Sequence, residues 1–199
     1  MGKVYTAATV SLDGFIAGPD ESGFDRLFRW YGNGDVEVPS ANPDVQFRLT
    51  KENAGVFVPM IENTGALVVG RRLFDLTGGW GGRHPMDRHV VVLTHSVPEG
   101  WPEKGENFTF VGDGIESAVA TAREIAGGRD VGVNGGTIAS QCLEARLLDE
   151  IWVALAPVLL GAGRPYFDEL RSAPLDLEGP LTVLDAKDVT HLRYRVRYP

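Results

Sequence analysis

Apolar residues run through this chain in two rhythms. Ile115, Ala118, Val119, Ala122, Ile125 and Ala126 recur at i, i+3, i+4, i+7, i+10 and i+11, which is one stripe of a helix with 3.6 residues per turn. Asp113 and Glu116 are spaced as an N-terminal capping pair and Gly127 supplies the stop, so a helix is predicted between them. Over residues 189–198 the rhythm changes to two. Leu192, Tyr194, Val196 and Tyr198 alternate with His191, Arg193, Arg195 and Arg197, the mark of a strand with one wet face, as in an antiparallel pair. Short apolar or β-branched runs at 4–10, 66–69, 89–94, 108–111, 131–133 and 151–160 predict further strands.

A second helix is expected over residues 137–147, opening directly after Asn134-Gly135-Gly136. Residues 45–61 hold helical fragments that Gly55 and Pro59 are expected to break or kink. Residues 18–42 are dense in Gly, Pro, Asn and Asp and carry Phe24, Phe28, Trp30 and Tyr31. A loop of that length and content is expected to act as a lid or docking surface. Strands alternating with helices, then strands joined directly, predict an α/β fold. Its mixed sheet is parallel in the middle and antiparallel at its end. No repeat or linker interrupts the pattern, so one domain is expected over residues 1–199.

Composition adds two constraints. The 199 residues include 25 glycines, a surplus without collagen-like period, which must sit in turns or where backbone meets a ligand. The formal charge of −8 argues against a general nucleic-acid or anionic-membrane binder, so an anionic ligand must find a local arginine cluster. The lone Cys142 cannot form an internal disulfide; it is either an inert packed thiol or a reactive one. With no bilayer-length apolar run and no basic-then-apolar leader, a cytoplasmic protein is expected.

Three strand ends carry unusual chemistry. Gly70-Arg71-Arg72 leads from a buried strand into an expected helix start, where free N–H groups and two guanidinium groups suit a phosphate; a plain surface arginine pair is the alternative. Thr94-His95-Ser96 offers hydroxyls and an imidazole to an oxyanion. Asn134-Gly135-Gly136-Thr137-Ile138 lets backbone approach a pyrophosphate at a helix start, or is simply a tight turn. In open α/β sheets ligands bind at the carboxyl ends of parallel strands, where all three turns are expected to lie. Gly112-Asp113-Gly114 nearly opens a dinucleotide fingerprint, but Ser117 stands at its third small position and the next strand ends without an acidic residue. His84, His89 and His95 lack metal-pair spacing and Gly-x-Ser-x-Gly is absent, so neither a metal site nor a serine nucleophile is expected.

These features together resemble the dihydrofolate reductase-like family, in the branch of the reductase domain of the bacterial riboflavin-biosynthesis deaminase-reductase. The resemblance rests on Ser11-Leu12-Asp13-Gly14-Phe15-Ile16-Ala17-Gly18, Val69-Gly70-Arg71-Arg72, Leu93-Thr94, Val133-Asn134-Gly135-Gly136, Leu148-Asp149-Glu150-Ile151 and residues 157–163. It implies a three-layer α/β/α fold, a homodimer, and NADPH as hydride donor to a C=N or C=O bond of a small pteridine- or aminopyrimidine-riboside-like substrate. Ala7, Ala8, Phe15, Ile16 and Ala17 would then line the nicotinamide. Gly70, Arg71, Arg72, Thr94, His95 and Ser96 would hold the 2′-phosphate end, and Asn134, Gly135, Gly136, Thr137 and Ile138 the pyrophosphate. The chain departs from riboflavin-pathway reductases at Phe15, where they carry Arg, and at residues 72–76, where they carry an acidic, proline-containing segment. The helix that carries a carboxylate in folate reductases has no evident counterpart. Asp13 is therefore the candidate proton donor, or a turn former, and Asp25, Phe28, Trp30 and Trp80 are the candidate substrate residues. A protein that keeps the fold and binds a nucleotide or metabolite without turnover is the alternative.

Overall fold

The computed structural model describes residues 2–198. In chain order the first half contains β1 (Val4–Ser11), β2 (Phe15–Ala17), α1 (Phe24–Leu27), β3 (Val36–Val38), β4 (Phe47–Leu49), α2 (Lys51–Asn63), β5 (Thr64–Gly70) and α3 (Arg71–Leu76). The second half contains β6 (His89–Leu93), β7 (Phe108–Val111), α4 (Ile115–Ala126), β8 (Asp130–Val133) and α5 (Thr137–Glu144). It closes with β9 (Glu150–Ala156), β10 (Arg164–Pro165), β11 (Leu177–Ala186) and β12 (Val189–Val196).

Eight strands form one sheet in the order β11-β12-β9-β1-β8-β5-β6-β7. Every pairing from β9 to β7 is parallel, while β12 runs antiparallel to β9 and β11 to β12. The central strands are covered on both faces, which explains their unbroken runs: Val4, Val68, Val90, Val91, Val92 and Val131 are all fully buried. On one face α4 and α5 pack through Ala118, Val119, Ala122, Ile138 and Leu143. On the other, α2 presents Phe57 to Trp30, Phe47 and Leu49, and α3 presents Phe74 to Leu67, Val69 and Phe108. The result is the three-layer α/β/α architecture with a mixed, mainly parallel sheet.

Several local expectations are corrected. Helix α2 runs unbroken through Gly55 and Pro59. Pro59 leaves the Gly55 carbonyl without its helical donor, but anchors hold both ends. Thr50 Oγ1 accepts from Asn53 N at 3.3 Å, Thr64 Oγ1 donates to the Met60 carbonyl at 2.6 Å, and buried Phe57 ties the middle to the core. Tertiary packing overrides propensity there. Asp113 does not cap α4; Gly114 is the N-cap at φ 111°, and Asp113 accepts instead from Ser117 Oγ at 3.2 Å. Gly127 does close that helix in the left-handed conformation. Helix α5 ends at Glu144, three residues early, in a turn where Leu147 N donates to the Cys142 carbonyl.

Strand β9 stops at Ala156 because the next residues turn to meet Asp13, which accepts from the amides of Leu160 and Gly161 at 3.1 and 2.7 Å. The expected wet face of β12 is partly dry. His191 is buried, hydrogen-bonded through Nε2 to Asn53 Oδ1 at 2.8 Å and edge-on to Trp30 at 5.2 Å. Cys142 is buried and its thiol is pushed up to about 12 by that burial, which makes it an inert packing residue.

Candidate functional site

Because β6, β5 and β8 are adjacent, their carboxyl-terminal turns converge. Gly70 N donates to Asn134 Oδ1 at 2.9 Å, and Asn134 Nδ2 returns a bond to the Gly135 carbonyl at 2.6 Å, so two turns share one brace. Arg71 reaches across to the third, donating to the Ser96 carbonyl at 3.0 Å while Asp75 fixes its Nε at 2.8 Å. Gly136, at φ 72°, is the N-cap of α5 and has no side chain to cap it. First-turn N–H groups of a helix have no internal acceptor, so this end offers donors to an anion.

All three turns open into one cavity of about 1540 Å³. Drug-sized ligands occupy roughly 300–1,000 Å³, so there is room for a dinucleotide and a second small molecule. The floor is the face of the sheet that carries Tyr5, Ala7 and Thr9, in register with Glu150, Trp152 and Ala154 on β9; the next row on β12 is Arg195, Arg193 and His191. Trp152 stacks on Tyr5 at 4.6 Å and lies 5.1 Å under the Arg193 guanidinium. Helix α2 forms the roof with Gly55, Val56, Pro59, Met60 and Asn63, and Phe24, Phe28, Trp30 and Tyr31 form a wall. Trp80 and His84 close the side beyond α3, edge-on at 4.5 Å, and burial pushes the His84 imidazole down to about 4, neutral near pH 7.

Most residues singled out from the sequence meet here. Ala7, Ala8, Ile16, Ala17, Gly70, Arg71, Arg72, Thr94, His95, Ser96, Asn134, Gly135, Gly136, Thr137, Ile138, Phe28, Trp30 and Trp80 all line the cavity. Trp30 is nonetheless mainly a core residue, with Nε1 donating to Thr9 Oγ1 at 3.2 Å. Three other candidates lie outside the cavity lining. Asp25 is exposed and pairs with Arg26 at 3.2 Å, outside the cavity. Phe15 is half-buried beside Pro165 and does not line it. Asp13 is exposed and does not line it. The Ser11 hydroxyl at 2.6 Å, with the Gly161 and Leu160 amides, holds its carboxyl below the usual range.

Sequence reasoning missed several charged groups here. Glu21 accepts from Arg72 and faces Arg164, while Lys3 and Arg193 both contact the buried Glu150 carboxylate, at 3.1 and 3.0 Å. Arg193 had a signal, its place in the period-two tail. Glu21 had none, because the contact spans fifty-one positions. Among the described residues, no cluster of His, Cys, Asp and Glu could hold a metal ion, and no helix is long and apolar enough to cross a membrane.

The donor set fits a pyrophosphate-bearing dinucleotide. A Cβ on Gly135 would stand 3.0 Å from the Tyr166 ring and 3.2 Å from Ile16, and one on Gly70 would stand 3.2 Å from Ile138, so glycine keeps the cradle open. Arginines stand at its rim, as a phosphate ester requires.

Comparison with known proteins agrees with this fold. The uncharacterized protein YyaP of Bacillus subtilis is 25% identical over 181 residues, covering 85% of this chain and 82% of that one. A solved structure of a putative riboflavin biosynthesis protein from Shewanella sp. PV-4 superposes with a TM-score of 0.66 at 24% identity, over 98% of this chain and 99% of its own. Dihydrofolate reductase from Enterococcus faecalis, solved with NADP(H), superposes with a TM-score of 0.56 at 16% identity, over 99% and 98% of the two chains. The fold is therefore dihydrofolate reductase-like. The family model described as the RibD C-terminal domain matches residues 2–191, nearly the whole chain, and to that family this chain belongs.

Proposed function

We propose that the protein is an NADPH-dependent reductase that passes a hydride to a C=N or C=O bond of a small heterocyclic substrate, pteridine- or aminopyrimidine-riboside-like in shape. One observation carries this: three strand-end turns and two arginines converge on a cavity that is also walled by aromatic and aliphatic side chains. Membership of the RibD C-terminal domain family and the likeness to a reductase solved with NADP(H) support it. NADPH, when bound, supplies the hydride from its nicotinamide ring.

The chain's own residues bind, orient and exclude water. Arg71 and Arg72 would hold the extra phosphate that distinguishes NADPH from NADH, and Gly135, Gly136 and the first turn of α5 would receive the pyrophosphate. Ala7, Ile16 and Ala17 line the cavity, where small or slim side chains would leave space for a flat ring. Phe24 and Phe28 line it too and would shield that ring from solvent. In calorimetry, NADPH is expected to bind at least about tenfold more tightly than NADH, and Arg71→Ala with Arg72→Ala to erase that preference. Failure of either nucleotide to bind below millimolar concentration would sink the proposal.

A second reading is favoured by one observation. The roof residues of α2 include no carboxylate, and among the described lining residues only Glu21 and Asp130 are acidic. A protein that binds NADPH without consuming it, across pteridines, aminopyrimidine ribosides and simple carbonyls, would be a binding protein on a reductase fold.

We further propose a cytoplasmic homodimer, as the family resemblance implies for the pairing. The exposed Leu177, Leu181 and Val183 on the edge strand β11 support the pairing. Light scattering is expected to give twice the chain mass of 21.6 kDa, and a single-chain mass at micromolar concentration would count against it.

A further inference from the structure

We propose that Glu21 is a built-in substitute for a ligand phosphate, and that Arg164 is a further anion-binding residue which, with Arg72, exchanges Glu21 for that phosphate. The inference rests on the proposal that the three turns form the nucleotide end of the cavity. The ligand class is a phosphate ester or anhydride, the phosphate groups of a dinucleotide included.

Glu21 Oε1 accepts from Arg72 Nε at 2.6 Å and also from its Nη2, and stands 3.7 Å from Arg164 Nη2. An ordinary surface ion pair leaves both partners in water. Here the Arg72 side chain is 64% exposed but Glu21 only 20%, so the carboxylate is turned inward onto the two guanidinium groups. Arg164 lies beside the helix start, its Cδ 3.9 Å from where a Cβ of Gly136 would be. Its Nε is buried and has no hydrogen-bond partner. A buried donor left unmade at the lip of an anion cradle points to an acceptor that arrives with the ligand.

The segment that delivers Glu21 is held in an unfavourable backbone conformation. Asp20 and Glu21 have φ of 53° and 56°, the left-handed region that residues with a Cβ avoid. Gly18 N donates to the Ser22 carbonyl at 2.8 Å and closes the segment on itself, and Gly23 at φ 81° makes a pivot at its far end. Local strain disfavours this state and the ionic contact favours it. An incoming phosphate takes over the arginines and releases the strain in one step. Charge favours the exchange as well, because two guanidinium groups match a phosphate carrying up to two negative charges better than one carboxylate.

The test uses the full-length protein and two probes in calorimetry, inorganic pyrophosphate and NADPH. Glu21→Gln keeps the shape and removes the competing charge, so pyrophosphate is expected to bind roughly fivefold more tightly than to the native chain. Glu21→Asp, whose carboxylate is withdrawn by one methylene, should fall between the two. Arg164→Ala should weaken pyrophosphate binding in both the native and the Glu21→Gln backgrounds. A residue that merely braced the loop would give the opposite sign, since its loss would weaken binding. Pyrophosphate affinity that is unchanged, weaker or absent in Glu21→Gln overturns the exchange. Tightening of pyrophosphate with no binding of NADPH to any variant would keep the exchange and discard the dinucleotide, whereas NADPH binding without tightening would do the reverse.

Discussion

Gly135→Val is expected to lower NADPH affinity by about a hundredfold while leaving the protein folded. The position is buried at the turn between β8 and α5, and a Cβ there meets only side-chain atoms, the Tyr166 ring at 3.0 Å and the Ile16 methyl at 3.2 Å. Those groups can shift by a few tenths of an ångström, so the sheet survives. The two γ-methyls, however, project into the gap between β2 and the start of α5, where backbone amides must come within hydrogen-bond distance of the ligand. Displacement of Tyr166 also disturbs its carbonyl, which accepts from Gly136 N at 2.7 Å and sets the amide geometry of the helix start. Calorimetry with NADPH alongside a thermal melt checks both halves. Native-like affinity in a folded Gly135→Val protein would show that no ligand approaches this backbone.

The largest stability effect is expected at Gly163. A Cβ there would sit 2.0 Å from the Ala17 carbonyl oxygen and 2.8 Å from the Gly18 backbone, at φ 136°. Backbone has no rotamer with which to escape, so Gly163→Ala must separate the short β2–β10 pair. The expected cost is about 3 kcal/mol or more, combining left-handed strain with the lost packing. Gly161 provides the matched control. It also has a positive φ, 78°, but a Cβ there would meet nothing within 4 Å, so Gly161→Ala should cost only about 1 kcal/mol. Urea melts of the two variants separate clash from strain, and equal losses would refute the close approach. Because β10 carries Arg164 and pairs with the strand that carries Ile16 and Ala17, Gly163→Ala should also loosen the nucleotide end of the cavity.

The parts of this fold that could be read from sequence are those where one physical signal dominates. The stripe from Ile115 to Ala126 and the runs at β5, β6, β7 and β8 are dictated by burial on defined faces, so periodicity finds them. Strand β11 was missed because most of its residues are exposed and its register shifts between Glu178 and Thr182, so no alternation survives. Strands β2, β3, β4 and β10 have two or three residues each and exist through their partners rather than their composition. In helix α2, Gly55 and Pro59 argued against what Thr50, Phe57 and Thr64 enforce from outside the local window.

The site divides along the same line. Glycine and arginine turns were legible because strand-to-helix junctions in a parallel sheet point to one edge whatever the details. The carboxylates were not, since a carboxylate's role depends on which amides and cations surround it. Asp13 and Asp25, close to the first loop in sequence, do not line the cavity, while Glu21 does and Glu150 anchors Lys3 and Arg193 at its floor.

The chain's four tryptophans are unevenly placed. Trp30, Trp80 and Trp152 line the cavity, whereas Trp101 packs against Phe74 and Phe108 and does not line it. The protein thus carries an optical gauge of its own occupancy. A reduced nicotinamide seated beside these indoles would quench their emission by energy transfer, so filling of the cavity can be followed without any added label.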